Sequence, residues 1–299
     1  MNVIQRCDAI EDVLTRRIAK NYTSALVTAL RKKKRFLQTL KDVDSGKIKP
    51  PQQYVDTDTV DKWRQGFIRE LIRQENVIDG IMDELNKAGI DASQLIRDTM
   101  PEYYALNHTE AVEALSGALQ ANGMDGTLTD FTRRQVEIIV QNSETAFTRL
   151  AHENLRTHPA VRRRLENELI QATILGESQA KLVKRIQNVT GQAAWQAKRV
   201  AQTERTRVQS QARWEVGNQA MALGVAVVNE WSTRMVNSRE THIELDGKVA
   251  LQGEYFPGSP LRYPGDPFAP AAEVINCHCV LYPDVLSDGQ MVIDGRVVG

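Results

Sequence analysis

Two of the chain's three cysteines crowd around a histidine in "EVINCHCVLYP", residues 273–283. Thiols and imidazole at such spacing suit three chemistries: a soft metal site, a nucleophilic thiol, or a disulfide. Side chains alternate faces along a strand, so as a strand this stretch points Cys277 and Cys279 one way and His278 the other. The two sulfurs can then share one zinc ion, with His242 and Asp246 brought in by the fold to complete a tetrahedral set. The plainer reading has two small apolar side chains packed in the core beside a hydrogen-bonded His242. That reading is favoured, because Cys-x-Cys is tighter than the usual two-residue gap of zinc knuckles. A bridge between Cys277 and Cys279 is disfavoured by the short loop it would close. The odd cysteine count, with Cys7 far away, has no disulfide-framework spacing. The expectation is therefore no cofactor, with zinc on His242, Cys277 and Cys279 as the open alternative.

The same residues offer parts for catalysis. A thiol beside His242 is the minimum for covalent chemistry. Arg239, His242 and Glu204 also read as a phosphodiester-cleaving set, with His as base and Arg holding the phosphate. No phosphate loop, dinucleotide fingerprint or His-Glu-x-x-His motif supports either, and the expectation is a protein that is not an enzyme. On a helix, Glu204 and Arg207 share a face while Arg205 lies on another, which makes a buried Glu204–Arg207 or Glu204–Arg239 pair the preferred role. Asp246-Gly247 reads as a turn. Pro264, Gly265, Asp266 and Pro267 read as a stiffened loop.

Charge is unevenly spread along a chain of 299 residues with zero formal net charge. Residues 1–50 carry twelve Lys or Arg against five Asp or Glu, whereas residues 231–299 carry five against nine. Arg31, Lys32, Lys33, Lys34 and Arg35, with Arg162, Arg163 and Arg164, are the candidates for sequence-independent phosphate contact, since no aromatics stand beside them to stack bases. A solvated helix face explains the same run equally well.

The elements that must position these residues follow from periodicity. With 41% apolar and 25% charged residues the chain has the composition of a folded protein. It has no window apolar enough to span a membrane and no signal-peptide pattern at its start. Ile10, Leu14, Ile18, Tyr22, Leu26 and Leu30 predict a long amphipathic helix that starts on an Asp8–Glu11 capping box and breaks around Gly46, Pro50 and Pro51. A second helix restarts near Thr57 or Asp58 and ends at Gly89; Asp91 with Gln94 suggests another start, and Pro101 an interruption. After a glycine-rich connection, helix resumes from about Thr129. Residues 161–224 read as three helices punctuated by Gly176, Gly191 and Gly224. Beyond Gly224, "VAVVNEW", "VINCHCVLY" and "MVIDGRVV" read as strands around a Pro-studded loop. The fold class is α+β: a mainly helical N-terminal two thirds with long amphipathic helices, followed by a small β-rich C-terminal module.

Taken in order, the landmarks carry more. Thr203, Glu204 and Arg207, then Trp231, then Arg239, His242, Leu245, Asp246 and Gly247, then Pro264, Gly265, Asp266 and Pro267, and finally Asn276, Cys277 and Cys279 make a series that resembles the phage Mu F-like family of minor head proteins. The resemblance covers about residues 160–283. The family pattern commonly has an acidic residue shortly before the Arg of Arg-x-x-His and an Arg between the cysteines; here "MVNS" and His278 stand in those places. The resemblance implies a helical region over 1–155 facing portal, capsid or DNA, a head-morphogenesis module over 156–285, and a C-terminal strand or tail over 286–299. It further implies a structural component of a tailed-phage virion, inside the capsid or at the portal vertex. Its partners would be a portal oligomer, the major capsid or scaffold protein, and non-specific DNA, with no membrane. Some relatives of the module are fused to toxin or ADP-ribosyl-transferring domains, which is the enzymatic alternative built on His242 and Arg239.

Overall fold

A computed structural model describes residues 2–124, 126–144, 146–235 and 238–299. Helices run from α1 (Val3–Lys32) through α2 (Lys34–Asp44), α3 (Thr57–Gln74), α4 (Val77–Ala121), α5 (Arg133–Asn142), α6 (Ala146–Thr157), α7 (Pro159–Ile174) and α8 (Gln179–Ala222). A small β region follows: β1 (Val227–Ser232), α9 (Glu240–Ile243), β2 (Val249–Leu251), α10 (Ala271–Val274), β3 (Val280–Val285), β4 (Met291–Ile293) and β5 (Arg296–Val298). The α+β class read from the sequence is the fold observed.

Several boundaries differ from the sequence reading, each for a physical reason. α1 begins at Val3, so Asp8 and Glu11 are inside the helix and form no capping box. α3 starts where expected, on an Asp56–Thr59 capping box. The break that follows is at Asn76, whose φ of 46° is left-handed, and not at Gly89. α4 runs unbroken through Gly89, Asp91, Gln94 and Pro101. Gly89 is instead a close-approach residue, because a Cβ there would fall on the carbonyl oxygen of Leu155. Residues 161–224 form two helices rather than three: Gly176, at φ +60°, ends α7, but α8 continues through Gly191 to Ala222. Helix resumes at Arg133 behind a Thr132–Gln135 capping box. Thr145, within the helical reading from Thr129, lies outside the described residues.

The chain divides into two units built from interleaved segments. One comprises 15–94 and 151–198. Ion pairs tie its helices together: Lys32 to Glu84 at 2.6 Å, Arg162 to Asp79 at 2.7 Å, and Arg185 to both Glu168 and Glu177. His158 stands at φ 45° ahead of Pro159. The ring of His158 is buried edge-on to Tyr22, with Nε2 3.1 Å from the Leu85 carbonyl and 3.2 Å from the Tyr22 hydroxyl.

The other unit comprises 1–14, 95–150 and 199–299 and holds the β region. β1 is the centre of a three-stranded antiparallel sheet of order β2-β1-β3, with Trp231 opposite Leu281 and Asn229 opposite Ala250 and Pro283. The stretch "MVIDGRVV", read as one strand, is a hairpin: β4 pairs with β5 across Asp294 and Gly295, both at positive φ. One apolar cluster gathers Trp214, Trp231, Leu245, Phe256, Leu261 and Tyr263 with Cys277, Cys279 and Leu281. A second joins Ala111, Leu115 and Leu119 of α4 to Val216 and Ala220 of α8 and to Val227 and Val285.

Burial pushes the His158 imidazole from its ordinary 6.5 down to about 4. Its folded-state value lies below its unfolded one, so the unfolded chain takes up the proton first as pH falls. The associated stability is fully present above pH 6.5 and is lost as pH falls toward 4, by roughly 3 kcal/mol. An NMR titration of the ring should give a midpoint near the lower value; a midpoint near 6.5 would contradict this account.

Candidate functional site

Residues 201–210 of α8 are buried without exception, although eight of those ten are polar or charged. A helix hidden on every side must find a partner for each polar group. Gln202 and Thr206 both donate to the carbonyl of Cys277, and Thr203 Oγ1 accepts the backbone N–H of Asn276 at 2.9 Å. Asn276 sits at φ 56°, a conformation Asn tolerates better than most residues. Arg205 leaves on another face to Asp8 and Glu11 of α1, and Arg213 reaches Asn107 and Glu110 of α4. Asp8 also holds Arg234 at 2.8 Å. Burial pushes the Asp8 carboxyl up, but Arg234 and Arg205 together outweigh it, and Asp8 stays ionised lower than usual.

Glu204 and Arg207 form the pair expected from their spacing, with Arg207 Nη2 2.8 Å and Nε 3.3 Å from the two carboxylate oxygens. They are 2% and 4% exposed, which makes the pair part of the interior. Arg207 also donates to the hydroxyl of Ser143. Gly265 closes this side at φ +77°; a Cβ on it would lie 3.0 Å from the backbone N and Cα of Arg207. Asp266, fully buried beside it, accepts two bonds from the Arg262 guanidinium at 2.9 Å and the Phe268 N–H at 3.0 Å. A shallow pocket between Thr203, Arg207 and the 265–267 loop is lined further by Ala269, Ala271 and Val274.

The sulfur and histidine residues come together as the spacing suggested, but not on a strand. α10 precedes them, residues 277–279 are irregular, and β3 begins only at Val280. Cys277 and Cys279 nevertheless face inward, while His278 is half-exposed. His242, from α9, places Nδ1 3.5 Å from each Sγ and Nε2 3.0 Å from Glu273 Oε2. Nε2–H donating to the carboxylate leaves the Nδ1 lone pair facing the two sulfurs. Trp231 packs edge-on against the imidazole, with ring centroids 5.1 Å apart. Cys279 accepts a hydrogen bond from Cys277, which outweighs burial and draws its thiol down; the same bond and burial push Cys277 up. Burial lowers His278.

Other expected members are placed differently. Asp246 accepts the Thr233 N–H at 2.6 Å and stands apart from the His242, Cys277, Cys279 group, which corrects its candidacy as a fourth ligand. Gly247, at φ +71°, makes the expected turn. Arg239 donates to the carbonyl of Ile275 and makes no pair with Glu204. Pro264 is buried at the start of its loop. In "MVNS", Val236 and Asn237 lie outside the described residues. The basic candidates remain in the helical unit: Arg31, Lys32, Lys34 and Arg35 are exposed, and Lys33 donates to the Glu75 carbonyl. Arg35 pairs with Glu75 at 3.4 Å; Arg162 pairs with Glu166 as well as Asp79, and Arg163 and Arg164 are exposed. Sequence reasoning assigned nothing to Arg213, Thr233 or Glu273. Only Glu273 left a signal, as an acid four residues ahead of Cys277 on the same segment.

Residues 163–282 match the family model described as Phage Mu protein F like protein. This segment is thus similar to the Mu F-like family. That family points to phage head morphogenesis and to the virion. Residues elsewhere in the chain complete the segment's contacts, since Asp8, Glu11, Asn107 and Glu110 all pair with α8. The chain is also similar to "NAD(+)--arginine ADP-ribosyltransferase EFV" of Enterococcus faecalis, 30% identical over 46% of this chain and 29% of that protein. It is 42% identical to "Uncharacterized protein YqbB" of Bacillus subtilis over 21% of this chain and 19% of that protein. The chain thus spans less than a third of the length of the curated relatives it matches. No solved structure matches it.

Within the Mu F-like module, Glu204→Gln strands a buried guanidinium and should cost about 3–5 kcal/mol in chemical denaturation. The double change Glu204→Gln with Arg207→Met should cost clearly less than the sum of its parts. Additive losses would mean that the two side chains act separately. Gly265→Ala forces a left-handed alanine against Arg207 and should cost at least about 1–2 kcal/mol by the same measurement.

Proposed function

We propose that this protein is a structural minor head component of a tailed phage, seated at the portal vertex, where it acts in head assembly. The observation that carries this reading is the Mu F-like match over 163–282, read together with the state of the module's reactive groups. Glu204, Arg207, His242, Cys277 and Cys279 are all at most 4% exposed on their side chains or as residues, and each is engaged by a neighbour within the unit. A nuclease or transferase needs such groups to meet a substrate. Here the imidazole and the thiols join α9 to the segment before β3, and Glu204 pairs with Arg207 inside α8, which suits a protein whose work is adhesion.

The portal is the proposed partner, with major capsid or scaffold protein second and DNA third. The first is favoured because the basic candidates are partly neutralised: Lys32, Arg35 and Arg162 each face a carboxylate. Among the described residues no helix is long and apolar enough to cross a membrane. The name of the Enterococcus relative keeps one enzymatic alternative in view, transfer from NAD to arginine, in a protein most of whose length has no counterpart here.

Co-expression with the portal protein of the same phage tests the reading. The full chain should co-purify with the portal ring in fewer copies than the ring has subunits, and it should be found in assembled heads. Heads of normal composition that lack the protein, or portal rings that never retain it, would refute the assignment. Incubation of the folded chain with labelled NAD and arginine-containing protein should leave the label untransferred; transfer abolished by His242→Ala would establish the enzymatic alternative instead.

A further inference from the structure

We infer that His242, Cys277 and Cys279 bind one zinc ion, through Nδ1 and the two thiolates. Three observations converge on that cation. A tetrahedral site with Zn–S of about 2.3 Å and Zn–N of about 2.0 Å has N···S edges of roughly 3.5 Å. His242 Nδ1 lies 3.5 Å from Cys277 Sγ and 3.5 Å from Cys279 Sγ. The second observation is the far side of the ring, where Nε2 meets Glu273 Oε2 at 3.0 Å. A carboxylate on the remote nitrogen fixes the tautomer that turns the Nδ1 lone pair inward and makes it a better ligand. The third is burial: all three ligands are buried, the two cysteines in an apolar cluster whose Trp231 packs against the imidazole. Two thiolates neutralise a divalent ion, so the occupied site carries no net charge into that interior. Soft sulfur with imidazole selects zinc over magnesium or calcium, which take oxygen.

Among the described residues no other Asp, Glu, Cys or His joins these three. These three leave one position of a tetrahedral set open. The ion would tie α9 to the segment ahead of β3, two pieces that no strand pairing joins. In a region whose β2 is three residues long, such a tie replaces core that short elements cannot supply.

The test uses the full chain purified under reducing conditions, without chelator or histidine tag. Elemental analysis should find about one zinc per chain. Cobalt exchanged into the site should give thiolate-to-metal charge-transfer and tetrahedral visible bands. The double change Cys277→Ser with Cys279→Ser should lose both signals, while His278→Ala and Cys7→Ala keep them. Should the double variant fail to fold, Glu273→Gln retains all three ligands and should weaken zinc affinity about 10–100-fold in competition with a chromogenic chelator. A folded wild-type chain that holds no zinc and takes up neither zinc nor cobalt overturns the inference. So does zinc retained equally by the double serine variant, or an affinity indifferent to Glu273→Gln.

Discussion

The unit that contains the β region depends on one constraint: a stretch of α8 rich in charge is buried on every side. Removing a guanidinium from water costs several kcal/mol even after the surroundings relax. Arg205, Arg207 and Arg213, at 2–4% exposure, can sit there only because carboxylates meet them. The partners come from far along the chain. Asp8 and Glu11 are close to its start, Glu110 is in the last third of α4, and only Glu204 is local. Because desolvation takes back most of the Coulomb gain, these pairs add little net stability. What they do is penalise every other arrangement of α1, α4 and α8, since a slipped helix would leave a buried charge without its partner.

The polar features of the module follow the same logic at shorter range. Asp246 is engaged by the Thr233 N–H, Asp266 by Arg262 and the Phe268 N–H, and Gln252 links the backbone of Trp214 to Asn218 and Asn229. Gln252 ties the end of β2 to α8 and β1, Asp246 fastens its turn to the residue that follows β1, and Asp266 closes its loop on itself. Loops held this way keep one shape without long strands, and a three-stranded sheet with such edges needs them. The polar series from Thr203 to Cys279 is therefore a set of fastenings facing inward.

Much of this was legible in the sequence, and the failures share a cause. The start of α3, the stops at Gly176 and Gly224, the β-rich end and the meeting of His242 with Cys277 and Cys279 all followed from local chemistry or order along the chain. Asp8 and Glu11 look like a capping box, yet their real partner is Arg205, nearly two hundred residues away. Gly89 looks like a helix stop, yet it is small because the Leu155 carbonyl passes close by. Gly191 and Pro101 look like breaks, but packing along α8 and α4 outweighs propensities of roughly 1 and 3 kcal/mol. Asp294-Gly295 was a readable hairpin signal hidden in an apolar run taken for one strand. Outside that hairpin, packing and contacts distant in sequence decided what a neighbouring residue could not.

The basic run shows why charge counted along a chain differs from charge presented to a partner. Residues 31–35 hold five consecutive cations, which in isolation would attract any polyanion. Folding sets Glu84 beside Lys32 and Glu75 beside Arg35, and draws Lys33 onto a backbone carbonyl. Arg162 divides its guanidinium between Asp79 and Glu166. Lys32 is 58% exposed and Arg35 86%, so these pairs are screened and individually weak. Their effect on the outward field is larger than their effect on stability: a carboxylate within 4 Å turns a point charge into a dipole, whose potential falls off faster with distance. A charge count along the sequence therefore overstates the positive field that Lys32, Arg35 and Arg162 present.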